Sequence, residues 1–347
     1  SALTVTSVLP ISGPHHGGTL VSVFGSNFAN SDDLVCRFGL RKVVAARWVS
    51  SVQVECITPS TDPGDVAVEV SNNGKDFTDD RVTFTVFGPP VVWSIEPALG
   101  PRRGGTPVTI RGQHLTYGDG LQCRFNLTTV QATILDSSTV ECAAPANWHG
   151  SAVPLAVSTN GADFSQEVFT FAYVDVPKVI TVTPSLGSSY GGDLLRLVGE
   201  GFLRTPNLSC RFGRMDEKYP KVTPATFESD TDITCETPEM RRGGTVWVEV
   251  TLNGFDYSES GIEYTFAIPP QVKSISPVSG LEVGGTIMKV DGLNFLNTEG
   301  LGCLIGGVFV KARWLSSEEL LCTTPAAVSG PGVVNMQVTQ NGEHFTR

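Results

Sequence analysis

The sequence lacks a long apolar run, a signal-peptide pattern and an excess of positive charge. No segment reaches the roughly 18 consecutive apolar residues that indicate a membrane-spanning helix. Its 35 acidic residues outnumber its 24 basic ones, for a net charge of -11. A surface that follows nucleic-acid phosphates is basic instead. We therefore expect no membrane segment in this sequence and no nucleic-acid partner.

The sequence also lacks the residue patterns of catalytic and metal sites. Its five histidines share no recurring position, and its eight cysteines include no Cys-x-x-Cys pair that would suggest zinc. The adjacent His15 and His16 in a glycine-rich turn are more typical of exposed turn residues than of metal ligands. No Gly-Lys-Ser or Gly-Lys-Thr follows a glycine pair, which argues against a phosphate loop. We expect no catalytic residue, cofactor or metal.

What the sequence does contain is one unit of about 90 residues, present four times. Asn-Gly pairs begin at Asn73, Asn160, Asn253 and Asn341, with spacings of 87, 93 and 88 residues. Gly-Gly pairs begin at Gly17, Gly104, Gly191 and Gly284, with spacings of 87, 87 and 93 residues. We place repeats 1 to 4 at residues 1–87, 88–174, 175–268 and 269–347, the last strand of repeat 4 being truncated.

The cysteines follow the same period, two in each repeat, and are separated by 20, 19, 25 and 19 residues. An even count at equivalent positions predicts one disulfide per repeat and an oxidising compartment. The predicted pairs are Cys36 with Cys56, Cys123 with Cys142, Cys210 with Cys235, and Cys303 with Cys322. The chain is therefore expected outside the cell or at its surface.

Alternating apolar and polar residues, broken by glycine and proline turns, predict an all-β fold of four sandwiches in series. In repeat 1, Val68 and Val70 should point inward, whereas Glu69, and Glu249 at the equivalent position of repeat 3, should face water or a neighbour. The Asn-Gly pair predicts a type I′ hairpin. Short, proline-bearing joints between repeats predict an elongated rod.

Several residues are candidates for contacts or modification. Trp93, Trp148 and Trp247 are expected on exposed surfaces where aromatic side chains can anchor a partner, whereas Trp48 and Trp314 are expected in the core. Asn126 and Asn207 each begin a glycosylation sequon. Asn126 also has another explanation, because it stands where the other repeats have glycine and a positive φ suits asparagine.

Two further features leave alternatives open. Repeat 3 is about six residues longer between its cysteines than the others, and that insertion is a candidate contact. The acidic residues near the Asn-Gly pairs could bind calcium, but one aspartate per hairpin supplies too few ligands. The alternative is that the aspartate side chain accepts hydrogen bonds from turn amides. These acidic residues are Asp76, Asp79, Asp80, Asp163 and Asp256.

Taken together, the motifs resemble the IPT/TIG domain, an immunoglobulin-like fold of plexins and certain transcription factors. They are the opening strand with proline, the Gly-Gly pair, Cys-Arg-Phe-Gly, Val-Glu-Cys-x-(Thr/Ala)-Pro and Asn-Gly-x-Asp-Phe. The paired cysteines are most similar to the extracellular branch seen in plexins and fibrocystin-like ciliary proteins. The transcription-factor branch implies basic DNA-binding loops, which this acidic sequence does not offer.

The sequence thus predicts a non-enzymatic extracellular scaffold or adhesion segment of a larger surface, ciliary or filament-forming glycoprotein. Its expected partners are proteins bound through lateral or end-to-end assembly. An alternative is the ligand-binding ectodomain of a plexin- or fibrocystin-like receptor, and a third is an accessory segment of a secreted carbohydrate-active enzyme. The parent chain would distinguish these hypotheses.

Overall fold

A computed structural model of this chain describes residues 2–116, 120–213, 220–240 and 243–346. Within those ranges the regular structure consists of β-strands, with no α-helix. The chain divides into two compact units, Ser1–Asp175 and Val176–Arg347, and each is described by itself. The predicted all-β class is confirmed.

Repeat 1 forms a single folded sheet of eight strands. They are β1 Thr4–Leu9, β2 Ser12–Pro14, β3 Leu20–Ser26, β4 Val35–Phe38, β5 Lys42–Ser50, β6 Gln53–Ile57, β7 Gly64–Ser71 and β8 Thr83–Phe87. The order across the sheet is β1-β3-β6-β5-β4-β7-β8-β2. Neighbours are antiparallel except β8 and β2, which are parallel.

The long strand β5 converts this sheet into a sandwich of two layers. Residues 42–45 of β5 pair with β4, and residues 46–50 pair with β6. The strand therefore leaves one layer and enters the other. Because side chains alternate along a strand, each layer turns one apolar face toward the other.

Repeats 2 and 3 have the same strand order as repeat 1. The strands of repeat 2 are β9 Val91–Glu96, β10 Leu99–Pro101, β11 Pro107–Gln113, β12 Gln122–Phe125, β13 Thr128–Asp136, β14 Thr139–Ala143, β15 Ala152–Ser158 and β16 Phe169–Val174. Those of repeat 3 are β17 Lys178–Thr183, β18 Leu186–Ser188, β19 Leu194–Glu200, β20 Ser209–Gly213, β21 Lys221–Phe227, β22 Asp232–Glu236, β23 Gly244–Thr251 and β24 Ile262–Ala267.

Repeat 4 separates into two sheets, ordered β25-β26-β30-β29 and β28-β27-β31. Its strands are β25 Gln271–Ser276, β26 Ile287–Leu293, β27 Gly302–Ile305, β28 Val308–Lys311, β29 Arg313–Ser316, β30 Glu319–Thr323 and β31 Met336–Thr339. Here β28 and β29 are the two halves of the crossing strand. The described residues of repeat 4 contain no counterpart of β8.

The core of each repeat lies between its layers. In repeat 1, Val68 and Val70 are fully buried, as the alternation predicts. The rings of Phe38 and Phe84 meet edge to face, with centroids 5.9 Å apart. This contact joins β4 to β8 across the inner face, so the last strand of a repeat completes its core.

The expectation that Trp48 and Trp314 belong to the core is wrong. Their side chains are 38% and 37% exposed. The indole N–H of Trp48 donates to the carbonyl of Phe28 at 3.1 Å, and that of Trp314 to the carbonyl of Phe295 at 3.0 Å. An indole combines an apolar body with a polar N–H that needs a partner where it is withdrawn from water, and here a backbone carbonyl supplies that partner while the rest of the residue stays partly exposed.

Candidate functional site: the Asn-Gly loops

One disulfide joins the two layers of each repeat. In repeat 1 it links Cys36 of β4 to Cys56 of β6, which lie in different layers. The other three occupy equivalent places, and all eight cysteines are paired. The prediction of one disulfide per repeat is confirmed.

The Asn-Gly pairs lie in loops that connect the two strands at the end of each repeat, or that follow β31 in repeat 4. We define these Asn-Gly loops as residues 72–82, 159–168, 252–261 and 340–346. Only the glycine of each pair has a positive φ, between 69 and 83°. The predicted type I′ hairpin, which requires positive φ at both residues, is therefore wrong.

The asparagine instead closes the loop with its side chain. In repeat 2, Asn160 Oδ1 accepts the backbone N–H groups of Ala162 and Asp163 at 3.0 and 2.9 Å. Its Nδ2 donates to Asp163 Oδ2 at 2.8 Å. Repeats 1 and 3 have the same arrangement at Asn73 and Asn253. Turn amides are thus bonded by the asparagine, and not by the aspartate that was considered for this role.

The acidic residues of these loops point to different protein donors. In repeat 1, Asp76 accepts from Asn73, whereas Asp80 Oδ2 accepts the backbone N–H of Val5 at 2.7 Å. Among the residues that the structure describes, no cluster of three or more His, Cys, Asp or Glu side chains is arranged to hold a metal ion. The geometry therefore gives no support to the calcium alternative.

The aromatic residue after that aspartate packs under an arginine. In repeat 2, the guanidinium carbon of Arg124 lies 3.8 Å from the centre of the Phe164 ring. The pairs Arg37 with Phe77 and Arg211 with Tyr257 repeat this contact at 4.1 and 4.0 Å. Cation–π attraction favours such stacking. It explains why Cys-Arg-Phe and Asn-Gly-x-Asp-Phe occur together.

The loop also covers the outer face of the strand before it, which was expected to meet water or a neighbour. Glu249 is only 1% exposed. Its carboxylate accepts the hydroxyl of Ser258 and the backbone N–H groups of Ser260 and Gly261. The exposed assignment of Glu249 is wrong because the loop folds back over this face, supplying the donors that a buried carboxylate requires.

In the first unit, the Asn-Gly loop of repeat 2 docks on repeat 1. Asn160 Nδ2 donates to the backbone carbonyl of Ser12 at 2.8 Å, and the hydroxyl of Thr19 donates to Asp163 Oδ2 at 2.7 Å. Asn160 is accordingly 9% exposed, whereas Asn73 in the loop of repeat 1 is exposed. We call the residue after each Gly-Gly pair, such as Thr19, the corner residue.

In the second unit, the loop of repeat 4 docks on repeat 3 in the same way. Asn341 Nδ2 donates to the carbonyl of Leu186 at 3.2 Å. His344, which replaces the aspartate, places Nε2 3.2 Å from Oδ1 of the corner residue Asp193. Each unit is therefore held together by an Asn-Gly loop as well as by its covalent joint.

Sequence reasoning missed this docking because a turn motif was treated as a local feature. One signal was available. The residue three positions after the asparagine is an aspartate in repeats 1 to 3 and a histidine in repeat 4, and the corner residue is an aspartate in repeat 3 and a threonine in the others. Two linked changes on successive repeats indicate contact between them.

Of the three predicted contact tryptophans, two are exposed as expected and Trp247 is not. Trp93 is 58% exposed on β9, Trp148 is 67% exposed in a loop, and Trp247 is half-buried on β23. Their role in binding stays a prediction. Of the insertion in repeat 3, residues 214–219 lie outside the described residues.

The two sequon asparagines differ in accessibility. Asn126 lies in the exposed turn after β12 with a φ of 56°, close to the 64° of Gly39 in repeat 1, so the expected positive φ is confirmed. Asn207 is half-buried, and its backbone carbonyl accepts the hydroxyl of Ser209 at 3.1 Å. Glycosylation stays a prediction at both.

Repeat 4 has an open apolar groove of about 450 Å³. It lies between the segment 277–282 and the start of β31, where β8 lies between β2 and β7 in repeat 1. Val278 and Val334 are 83% and 57% exposed along it.

In the described ranges, no helix is long and apolar enough to cross a membrane.

The fold and the loops define a class of protein, in which immunoglobulin-like sandwiches, each with a disulfide of its own, follow one another in tandem. Comparison with known families agrees with this class. The IPT/TIG domain family matches residues 3–86, 90–173, 177–267 and 270–346. The chain belongs to this family.

The chain spans only a small part of the length of the curated relatives that it matches. It is 25% identical to mouse Fibrocystin-L over 94% of this chain and 8% of that protein. It is 26% identical to human Plexin-A3 over 69% of this chain and 13% of that protein. Among solved structures, the plexin A4 extracellular region aligns with all of this chain and 30% of its own, with 17% identity and a TM-score of 0.43.

Proposed function

We propose that this chain is a non-enzymatic spacer and protein-interaction segment in the extracellular part of a larger, receptor-like surface protein. The observation that carries the proposal is the docking of one repeat on the preceding one in both units. A joint fixed by side-chain bonds on both sides holds successive sandwiches in a defined arrangement, which a spacer requires.

The disulfides support an extracellular location. Four cross-layer bonds, and no unpaired cysteine, suit an oxidising compartment and not the reducing cytosol. The relatives, Fibrocystin-L and plexins, are consistent with this location. The exposed Trp93 and Trp148 supply the first surfaces at which we expect protein partners.

The test is to isolate the parent protein from its source with an antibody raised against repeats 1 and 2. We expect it to be biotinylated on intact cells, to require detergent for extraction and to run as single particles by negative-stain electron microscopy. Insensitivity to surface biotinylation would overturn the extracellular assignment. Detergent-independent fibres with a regular spacing would overturn the receptor-like assignment and favour a filament-forming scaffold. Ciliary location stays a prediction that immunofluorescence on the same cells would test.

A further inference from the structure

The two joints that lie within the units share one contact that does not depend on side-chain identity. Asn160 and Asn341 each donate one amide hydrogen to a backbone carbonyl of the preceding repeat, at Ser12 and Leu186. A main-chain carbonyl is present whatever residue stands there. This contact fixes where a loop docks, but it cannot select which loop docks.

The second contact differs between the joints, because the corner residue is a hydroxyl donor in one and a carboxylate in the other. In the first unit the corner residue is the donor, because the Thr19 hydroxyl donates to Asp163. In the second unit the corner residue has no proton to donate, because Asp193 is a carboxylate, and its Oδ1 lies 3.2 Å from Nε2 of His344.

The loop of repeat 4 fixes the tautomer of its histidine. Asn341 Oδ1 accepts the backbone N–H groups of Glu343 and His344, so its amide nitrogen must point the other way. One hydrogen of that nitrogen goes to Leu186, and the other to Nδ1 of His344 at 2.9 Å. Nδ1 is therefore an acceptor, which leaves the ring proton on Nε2, the nitrogen that lies 3.2 Å from Asp193 Oδ1.

The surroundings of Asp193 have changed to suit a carboxylate. Its Oδ2 accepts the backbone N–H of Ser188 at 2.6 Å and the hydroxyl of Tyr264 at 3.2 Å. At the equivalent places repeat 1 has Pro14, which has no N–H, and Phe84, which has no hydroxyl. Repeat 3 thus differs from repeat 1 at the corner residue itself and at the two residues that donate hydrogen bonds to it.

We propose that the corner residue and the residue three positions after the asparagine of the next Asn-Gly loop form a recognition pair that determines which repeat can stack on which. A threonine corner takes a loop with aspartate, and an aspartate corner takes a loop with histidine. The mismatched pair of two aspartates would set two carboxylates together without a donor, which opposes docking. The inference concerns the order of the repeats and stands apart from the partner that they bind.

The test measures hydrogen–deuterium exchange of the Asn-Gly loop 340–346 in the full chain. His344→Asp recreates the loop chemistry of repeats 1 to 3, since an aspartate here can accept from Asn341, but it opposes Asp193. We expect loop exchange to become about tenfold faster. His344→Gln keeps one acceptor and one donor separated by a single carbon, and should stay within about threefold of the wild type.

The rescue variant is His344→Asp combined with Asp193→Thr and Tyr264→Phe, which transfers the first joint's chemistry to the second. Repeat 4 already combines a threonine corner with a backbone donor, since Leu281 N–H bonds Thr286 Oγ1 at 3.3 Å. We expect loop exchange to return to within about threefold of the wild type. The loop segment 71–78, with its exposed Asn73, is the internal control and should not change.

The proposal would be overturned if loop 340–346 exchanged in His344→Asp at the wild-type rate. It would also be overturned if the loop exchanged equally fast in His344→Gln and His344→Asp. A folded rescue variant that exchanges as fast as His344→Asp would overturn it as well. His344 has a side chain that is 49% exposed. The Gln and Asp variants are therefore expected to fold and to decide the question even if the rescue variant does not.

Discussion

The guanidinium of Arg124 stacks on Phe164 beside a strand that carries Ala156 at the paired position. Repeat 1 differs, because Arg37 both stacks on Phe77 and forms an ion pair with Glu69. Repeat 2 therefore allows the stacking to be measured with no acidic residue opposite the arginine on β15. The stacking ties the Asn-Gly loop to β12, the strand that contains the first cysteine of the repeat.

We predict that Arg124→Gln and Phe164→Leu are coupled by about 0.5–1 kcal/mol in the free energy of local unfolding of repeat 2. The measurement is a double-mutant cycle on hydrogen exchange of the buried amides of β12 and β15. Additive effects of the two substitutions would contradict an attractive contact. Repeat 4 provides a comparison within the chain, since Leu304 and Phe345 occupy these positions without a cation.

Removal of one disulfide should weaken one repeat. Replacing Cys123 and Cys142 together by serine should lower the stability of repeat 2 by about 3 kcal/mol, because a loop of 19 residues is no longer closed in the unfolded chain. Peptide-resolved exchange in increasing denaturant measures this change. The strands of repeat 3 should keep their midpoint, and an equal loss there would contradict independent cores.

The rim position of Trp48 predicts a small penalty for losing its N–H. Trp48→Phe removes the bond to the Phe28 carbonyl and should cost about 1 kcal/mol. Trp48→Ala should cost less than the about 3–5 kcal/mol typical of truncating a core aromatic side chain. The free energy of unfolding of repeat 1 measures it, with Trp314→Phe as the equivalent change in repeat 4. A loss near the larger value would restore the core assignment.

Alkaline pH should destabilise repeat 2 through Tyr173. Burial raises the pKa of Tyr173 to about 12 from the ordinary 10, and its hydroxyl donates to the carbonyl of Pro145 at 2.7 Å. Because the folded pKa is above the unfolded one, this contribution to stability is complete below about pH 10 and is lost as the pH rises toward 12. Denaturant midpoints of repeat 2 between pH 9 and 12 should fall less steeply in Tyr173→Phe. Identical slopes would show that this phenol does not contribute.

Secretion from eukaryotic cells should place a glycan on Asn126 more completely than on Asn207, because Asn126 is exposed and Asn207 is half-buried. Intact mass with and without glycosidase measures occupancy. Asn126→Gly is the matched variant, since it removes the acceptor while accommodating the φ of 56°. Thr128→Ala removes the sequon while keeping the asparagine. A mass change equal to that of the amino-acid substitution alone, in both variants, would exclude a glycan at this site.

Period and alternation were sufficient to predict the repeats, the cysteine pairs and the inward face of β7. Val68 and Val70 obey a rule that depends only on their own strand. The two main errors, on Trp48 and on Asn160, arose where a side chain forms hydrogen bonds with residues distant in the sequence. Trp48 aligns with apolar residues, yet its N–H is bonded by a carbonyl 20 positions away. Asn160 has the sequence of a local turn, yet it bonds Ser12, 148 positions away.

The cross-layer disulfide also limits how far a repeat can lengthen under a pulling force. Tension applied along the chain passes through the bond between Cys36 and Cys56 and bypasses the 20-residue separation between them, which includes the crossing strand β5. At about 3.5 Å per extended residue, the disulfide of repeat 1 prevents roughly 70 Å of chain from being stretched, even after the sheets of the repeat separate. The covalent bond that joins the layers therefore reduces the maximum end-to-end length of a repeat that has unfolded under force.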